Sequence, residues 1–232
     1  MAGETFLPEW TNNTHGGDMQ VMVLGKPMGS FFMYKWEGLD DDGCNLYRRS
    51  NGDLTTVPLG EDRYVTGQSN PKWNFGWNNS LSWKNWTFNL FCNAATGFNR
   101  LNFIRYSAAQ VVPNYKVVTL REGYYKGWDH VTDKAEAKYP SWRNTDNKNY
   151  AGTDRWLENA SYLKLKNISL AYHIPRNVLQ YLDAQISFSV QNLYTFTKYE
   201  GMDPETFDTA SGVDQGAYPI PRTFTLGLKV NF

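Results

Sequence analysis

The sequence predicts an all-β fold, an antiparallel transmembrane β-barrel segment with long loops. Three observations predict it. Several stretches of roughly ten residues alternate apolar and polar side chains, the length and period of a barrel strand with one face toward lipid. Aromatic residues make up 16% of the 232-residue chain, with nine Trp. Short connections alternate with long ones, as in barrels that keep tight turns at one rim and long loops at the other.

Along the chain, Met19 to Leu24 is expected to pair with a strand through Phe32, Tyr34 and Trp36 across Gly25-Lys26-Pro27. A clearer hairpin follows. Trp73, Phe75, Trp77, Leu81 and Trp83 alternate with Lys72, Asn74, Gly76, Asn78, Ser80 and Ser82; after Lys84-Asn85 the chain resumes with Trp86, Phe88, Leu90, Cys92 and Ala94 against Thr87, Asn89 and Asn93. From 161 to 174, Ile168, Leu170, Tyr172 and Ile174 oppose Asn167, Ser169 and His173, but Leu163 and Leu165 fall on the polar side. That reversal implies a β-bulge or a stretch projecting beyond the bilayer. Residues 184 to 197 alternate Ala184, Ile186, Phe188, Val190, Tyr194 and Phe196 with Gln185, Ser187, Ser189, Gln191, Thr195 and Thr197, broken only at Asn192 and Leu193. In the last strand Phe224, Leu226, Leu228, Val230 and Phe232 share one face, and Thr223, Thr225, Gly227, Lys229 and Asn231 the other.

The connections near 25–27, 84–85 and 175–183 are short, and those near 39–71, 98–160 and 198–221 are long. With Phe232 at one rim, every short connection is expected at that rim and every long loop at the other. Trp83 and Trp86 then flank a short turn, while Trp73, Tyr194, Phe196 and Tyr199 lie toward the loops, as aromatic girdles at two interfaces require.

Lys plus Arg equals Asp plus Glu at 23 each, which removes the electrostatic case for nucleic acid. Cys44 and Cys92 have no metal-type spacing. No apolar run approaches the roughly 20 residues of a membrane helix, and mean hydropathy is −0.58; alternating barrel strands escape that test. MAGETFLPEW lacks the basic and apolar regions of a secretory leader. His15, His130 and His173 are scattered without a catalytic pattern, and the loop acids Asp203, Glu205, Asp208 and Asp214 read as solvated. No enzyme, cofactor or metal is expected. A soluble all-β carbohydrate-binding module, with a second sheet covering the apolar faces, is the alternative.

Three segments together resemble the SusC/RagA-like family of TonB-dependent outer-membrane transporters. They are GKPMGSFFMYKWEGL (25–39), DRYVTGQSNPKWNFGWNNSLSWKNWTFNLF (62–91), and RWLENASYLKLKNISLAYHIP (155–175) followed by VQNLYTFTKYEGMDPE (190–205) and AYPIPRTFTLGLKVNF (217–232). The resemblance implies a 22-stranded, plugged barrel in the outer membrane of a Gram-negative bacterium, importing oligosaccharides or peptides. Residues 1–232 would supply its C-terminal portion, the last six or seven strands. The plug domain, the segment that contacts TonB and the signal peptide would belong to an N-terminal part absent here. Implied partners are outer-membrane lipid, a SusD-like surface lipoprotein lid, TonB and the outer-membrane assembly machinery.

Where many members carry an Asp-x-Asn-Gly-Asp-Gly turn resembling a calcium loop, this chain reads Arg49-Ser50-Asn51-Gly52-Asp53-Leu54. Bound calcium is not expected, despite the nearby Asp40-Asp41-Asp42-Gly43. Thr225, Gly227, Val230 and Phe232 resemble the polar-x-Gly-x-x-apolar-x-aromatic assembly signal. In the loop 98–160, Tyr124, Tyr125, Trp128, Trp142 and Trp156 stand among polar residues, a composition suited to stacking on sugar rings or gripping a partner lid.

Overall fold

The computed structural model describes residues 6–11, 19–109, 121–144, 152–175, 183–205 and 212–231. Strands β1 (Phe6–Thr11), β2 (Gln20–Val23), β3 (Ser30–Leu39), β4 (Asn45–Arg48) and β5 (Leu54–Thr55) follow one another in a sheet that β6 (Arg63–Gln68) completes by pairing with β3. Next comes the hairpin of β7 (Trp73–Trp83) and β8 (Trp86–Thr96), then β9 (Asn99–Asn102), α1 (Phe103–Ala109), α2 (Arg121–Tyr125) and β10 (Leu157–Asn159). The chain returns through β11 (Tyr162–Ile174) and β12 (Asp183–Thr197), makes the short β13 (Val213–Asp214), and runs out along β14 (Thr223–Asn231). Phe232 lies outside the described residues.

Five long strands form one antiparallel sheet in the order β14-β12-β11-β8-β7. This is the barrel wall. Its strands have 11, 11, 13, 15 and 9 residues in chain order, matching the roughly 9–11 tilted residues that cross a bilayer. The hairpin turns at Lys84-Asn85 as expected, with Trp83 opposite Trp86 and Lys84 at a positive φ of 51°.

Both breaks in the alternation have one cause. Between the rungs Phe91–Asn167–Gln191 and Cys92–Leu165–Tyr194, β8 advances one residue, β11 two and β12 three. A bulge at Lys166 therefore returns Leu163 and Leu165 to the face of Ala94 and Cys92. Asn192, one of the two extra residues in β12, takes a left-handed φ of 53°, which Asn tolerates better than most residues.

The remaining strands make a loop layer at the open end of the wall. Its core gathers Met19, Phe31, Met33, Leu101, Tyr139, Trp156 and Val213, and β9 joins β10 and β13 in a small third sheet. This layer corrects one expectation. The pairing of β2 with β3 is real, but both belong to the loop-layer sheet, and buried residues occupy both of their faces. The turn between them shares a cavity with Lys72, Gly97 and Asn99, at the wall end opposite Lys84-Asn85. It is not a turn at the short-connection rim; of the strands predicted for the wall, five stand there among the described residues.

Candidate functional site

The wall has two chemically distinct faces. Outward stand Trp73, Phe75, Trp77, Leu81 and Trp83 of β7, with Phe188, Tyr194 and Phe196 of β12 and Phe224, Leu226 and Leu228 of β14, all exposed. Among the described residues no second sheet covers them. In water such a continuous apolar surface would be a strong drive to association; lipid satisfies it. The girdle aromatics sit at the two ends as expected, except Tyr199, which is buried in a small cluster with Ala95, Phe98 and Ala160. The other face is polar: Asn89 donates to Ser169 Oγ at 3.2 Å, and Ser189 faces Thr225 and Ser187 faces Gly227 across the β12–β14 ladder.

On that polar face, at the loop end, the segment after β12 folds back onto β11. Lys164 Nζ lies 2.8 Å from Asp203 Oδ2 and 2.7 Å from Glu205 Oε2, and Lys166 Nζ lies 2.7 Å from Glu205 Oε1. Asn93 of β8 donates to Glu205 Oε1 at 3.3 Å. The bulge makes this possible, because it lets Lys164 and Lys166 bracket one carboxylate between outward-facing leucines. Burial alone would raise the Glu205 pKa, but its bonds to the two lysines outweigh burial and hold it below the usual value. Two cations meet two anions, so the cluster is neutral and the lysine is hidden from water without an uncompensated charge.

Behind the cluster, Tyr199 donates its hydroxyl to Asp214 Oδ2 at 2.5 Å. Burial first, and that bond second, push the Tyr199 pKa far upward. A Cβ at Gly201 would fall 2.2 Å from the Tyr199 ring, so only glycine lets the chain cross that ring. The acids that read as solvated are therefore fasteners: Asp203 and Glu205 on lysines, Asp214 on a tyrosine. Asp208 lies outside the described residues.

The five loop aromatics do not form one platform. Tyr124 and Tyr125 are exposed at the end of α2, edge to face at 5.3 Å, with His130 3.9 Å from Tyr124. Trp128 covers Gly43, where a Cβ would meet its ring at 2.5 Å, and Lys134 Nζ lies 5.3 Å from that ring. Trp142 is partly buried beside Arg143. Trp156 corrects the expectation of a stacking platform: it is 3% exposed and belongs to the loop-layer core. In the acidic turns, Asp40 Oδ1 accepts from the backbone of Asp42 and Cys44, Asn51 and Asp53 bond each other, and buried Asp62 accepts from Ser50 and Leu59. Among the described residues no group of three or more His, Cys, Asp or Glu is placed to hold a metal.

Comparison with known proteins places this architecture. The TonB-dependent receptor P3 of Formosa agariphila is 31% identical across 92% of the chain, and the TonB-dependent receptor SusC of Bacteroides thetaiotaomicron is 26% identical across 95%. The structure of the RagAB peptide transporter superposes on 97% of the chain with a TM-score of 0.79 at 23% identity. The chain is similar to the SusC/RagA-like TonB-dependent receptors. It covers 23% of the P3 receptor, 21% of SusC and 24% of the RagAB chain, so it is similar to about a quarter of each. No protein-family model matches it.

Within this receptor segment, three of the four assembly-signal positions lie in β14. Thr225 pairs with Ser189, Gly227 with Ser187 and Val230 with Ala184. A Cβ at Gly227 would stand 2.6 Å from Ser187 Oγ, which gives this glycine a packing reason independent of any signal. Sequence reading missed the Lys164 cluster. The available signal was two lysines inside a strand that otherwise reads as membrane-spanning, where an unpaired cation is costly.

Proposed function

We propose that this chain is the C-terminal barrel portion of an outer-membrane TonB-dependent transporter importing oligosaccharides or peptides. The five-stranded wall carries this reading: its apolar face is exposed, and neither β7 nor β14 has a second neighbour among the described residues. Unpaired edges are not tolerated in lipid, so further strands would close the barrel. The same exposed face tells against a soluble sandwich, whose apolar faces meet each other. No helix of the described residues is long and apolar enough to cross a membrane; the crossing elements are strands.

The reading is of a transporter, not an enzyme. The loop layer would face the cell exterior and meet a SusD-like lipoprotein lid, with exposed Tyr124 and Tyr125 as its best-presented contacts and partly buried Trp142 as a further one. Trp128, seated on Gly43, would act by shaping that surface. TonB would engage an N-terminal part of the receptor. Uptake of a labelled oligosaccharide and a labelled peptide by cells carrying the full-length receptor, with and without TonB, tests this: TonB-dependent accumulation of either supports it. A receptor recovered in the soluble fraction, without heat-dependent gel mobility, would overturn it.

Thr225, Gly227, Val230 and Phe232 are proposed as the signal that the outer-membrane assembly machinery reads. Deleting Phe232 from the full-length receptor is expected to lower its surface level. Unchanged insertion would remove that role.

A further inference from the structure

Arg155 sits in the 3-10 turn Asp154–Trp156, with its guanidinium 4.4 Å from the Trp36 ring centroid, 4.5 Å from Trp156 and 5.1 Å from Tyr139. Three aromatic rings thus surround one cation. Nη1 donates to Asn45 Oδ1 at 3.1 Å and Nη2 to the Lys138 carbonyl. Stacking engages the two faces of a guanidinium but leaves its edge, and two protein acceptors do not exhaust the five N–H donors of an arginine.

No carboxylate forms an ion pair with Arg155 among the described residues, and the acids nearby are engaged elsewhere. Asp154 accepts from the Trp36 backbone at 2.9 Å and from the Tyr64 hydroxyl at 2.7 Å. Glu37 pairs with Arg48 and Lys35. Glu122 pairs with Lys126 and Arg105. Burial pulls the Arg155 pKa down to about 10, so the group remains charged at neutral pH.

Arg155 and the rings of Trp36, Tyr139 and Trp156 line a cavity of about 350 Å³, near the small end of the roughly 300–1,000 Å³ typical of ligand pockets. Its charged lining consists of Arg105, Lys138 and Arg155 against the single acid Glu122, a surplus of cations. A second, independent observation points the same way. Trp156 lines this cavity, and its buried indole N–H has no acceptor among the described residues. A cation without an anion and a buried donor without an acceptor thus belong to two residues that line one cavity.

We propose that this cavity binds a carboxylate group, held by the N–H groups of Arg155 that Asn45 and the Lys138 carbonyl leave over and attracted by Lys138, with half-buried Trp36 packing against the body that carries it. The carboxylate belongs to a uronic acid ring or to a peptide end; both present the same planar pair of oxygens, which suits a guanidinium fork. The proposal goes beyond transport, because binding to the loop layer does not require uptake.

Calorimetric titration of the full-length receptor in detergent tests it directly. Four probes serve: a uronate disaccharide and its methyl ester, and an acetylated tripeptide with a free C-terminal carboxylate and its C-terminal amide. At least one acid should bind about tenfold more tightly than its neutral counterpart, the scale of a lost charge-assisted hydrogen bond pair, and the acid that does so names the source. Arg155→Gln should abolish the difference. Lys138→Gln, on an exposed side chain, should weaken the acid by about threefold without disturbing the fold, and the weakening should shrink as salt is added. Equal binding of acid and neutral probes, no binding of any probe, or wild-type discrimination in a heat-modifiable Arg155→Gln receptor would each overturn it.

Discussion

Leu226 in the wall and Phe31 in the loop layer are both large apolar side chains on β-strands, yet Leu226 is 78% exposed and Phe31 is fully buried. The wall turns its apolar residues away from the protein and its polar ones inward; the loop layer gathers its largest apolar residues into a core of its own. One surface needs lipid to be stable, the other supplies its own core. The wall strands alternate cleanly while β3 buries residues on both faces, so an apolar residue in a strand does not by itself identify what it meets.

The difference is sharpest under truncation. Phe31→Ala empties a fully packed site and is expected to cost about 3–5 kcal/mol, seen as loss of hydrogen-exchange protection confined to the loop layer of the reconstituted receptor. The wall should respond to charge instead of volume. Leu226→Arg places a cation against lipid and should cost about 2–4 kcal/mol near the bilayer midplane, whereas Leu226→Ala should cost far less. Denaturant titration of receptor refolded into vesicles measures both. If Leu226→Ala were as damaging as Phe31→Ala, the outward face would be a protein core and the comparison would fail.

The joint between the two regions is the Lys164–Asp203–Glu205–Lys166 cluster. Glu205→Gln keeps the shape but removes one charge, and should weaken the seating of residues 199–205 by about 1–2 kcal/mol. Because the folded pKa of Glu205 is depressed, its contribution is fully present above the ordinary Glu value of 4.5 and is lost as pH falls through the lower folded value. Protease sensitivity of this segment should therefore rise on acidification below about 4.5 in the wild type and change little with pH in Glu205→Gln. Matching pH profiles would show that the loop is held by other contacts.

The wall was legible in the sequence because each of its strands is long enough to show five or more alternations. Even the bulge announced itself through Leu163 and Leu165. The loop layer was not legible in the same way. Strands β4, β5, β9, β10 and β13 have two to four residues, too short for a period to emerge, and β9, β10 and β13 are stabilised by partners distant in sequence. The β2–β3 pair was found, but the expected face was that of Phe32, Tyr34 and Trp36, whereas Phe31 and Met33 join Trp156 in the loop-layer core, which no local pattern encodes. Trp156 resembled an exposed stacking residue for the same reason. The loop acids misled in the opposite direction: Asp203 and Glu205 have ordinary loop neighbours in sequence, and their partners lie 39 and 41 residues away.

Asn192 offers the finest test of the wall. It holds a φ of 53° in the β12 bulge and donates Nδ2 to the Pro221 carbonyl at 3.2 Å, tying the bulge to the approach of β14. Two effects are separable there. Asn192→Gly loses the side-chain bond but fits the left-handed backbone freely, whereas Asn192→Ala loses the bond and adds roughly 1 kcal/mol of backbone strain. The alanine variant should thus unfold about 1 kcal/mol more easily than the glycine variant, with the pairing of Tyr194 and Phe196 against Leu165 and Leu163 retained in both. Equal stability would mean that the strand relaxes its bulge, and the outward face of β12 would then depend on side-chain burial in lipid instead of on backbone geometry.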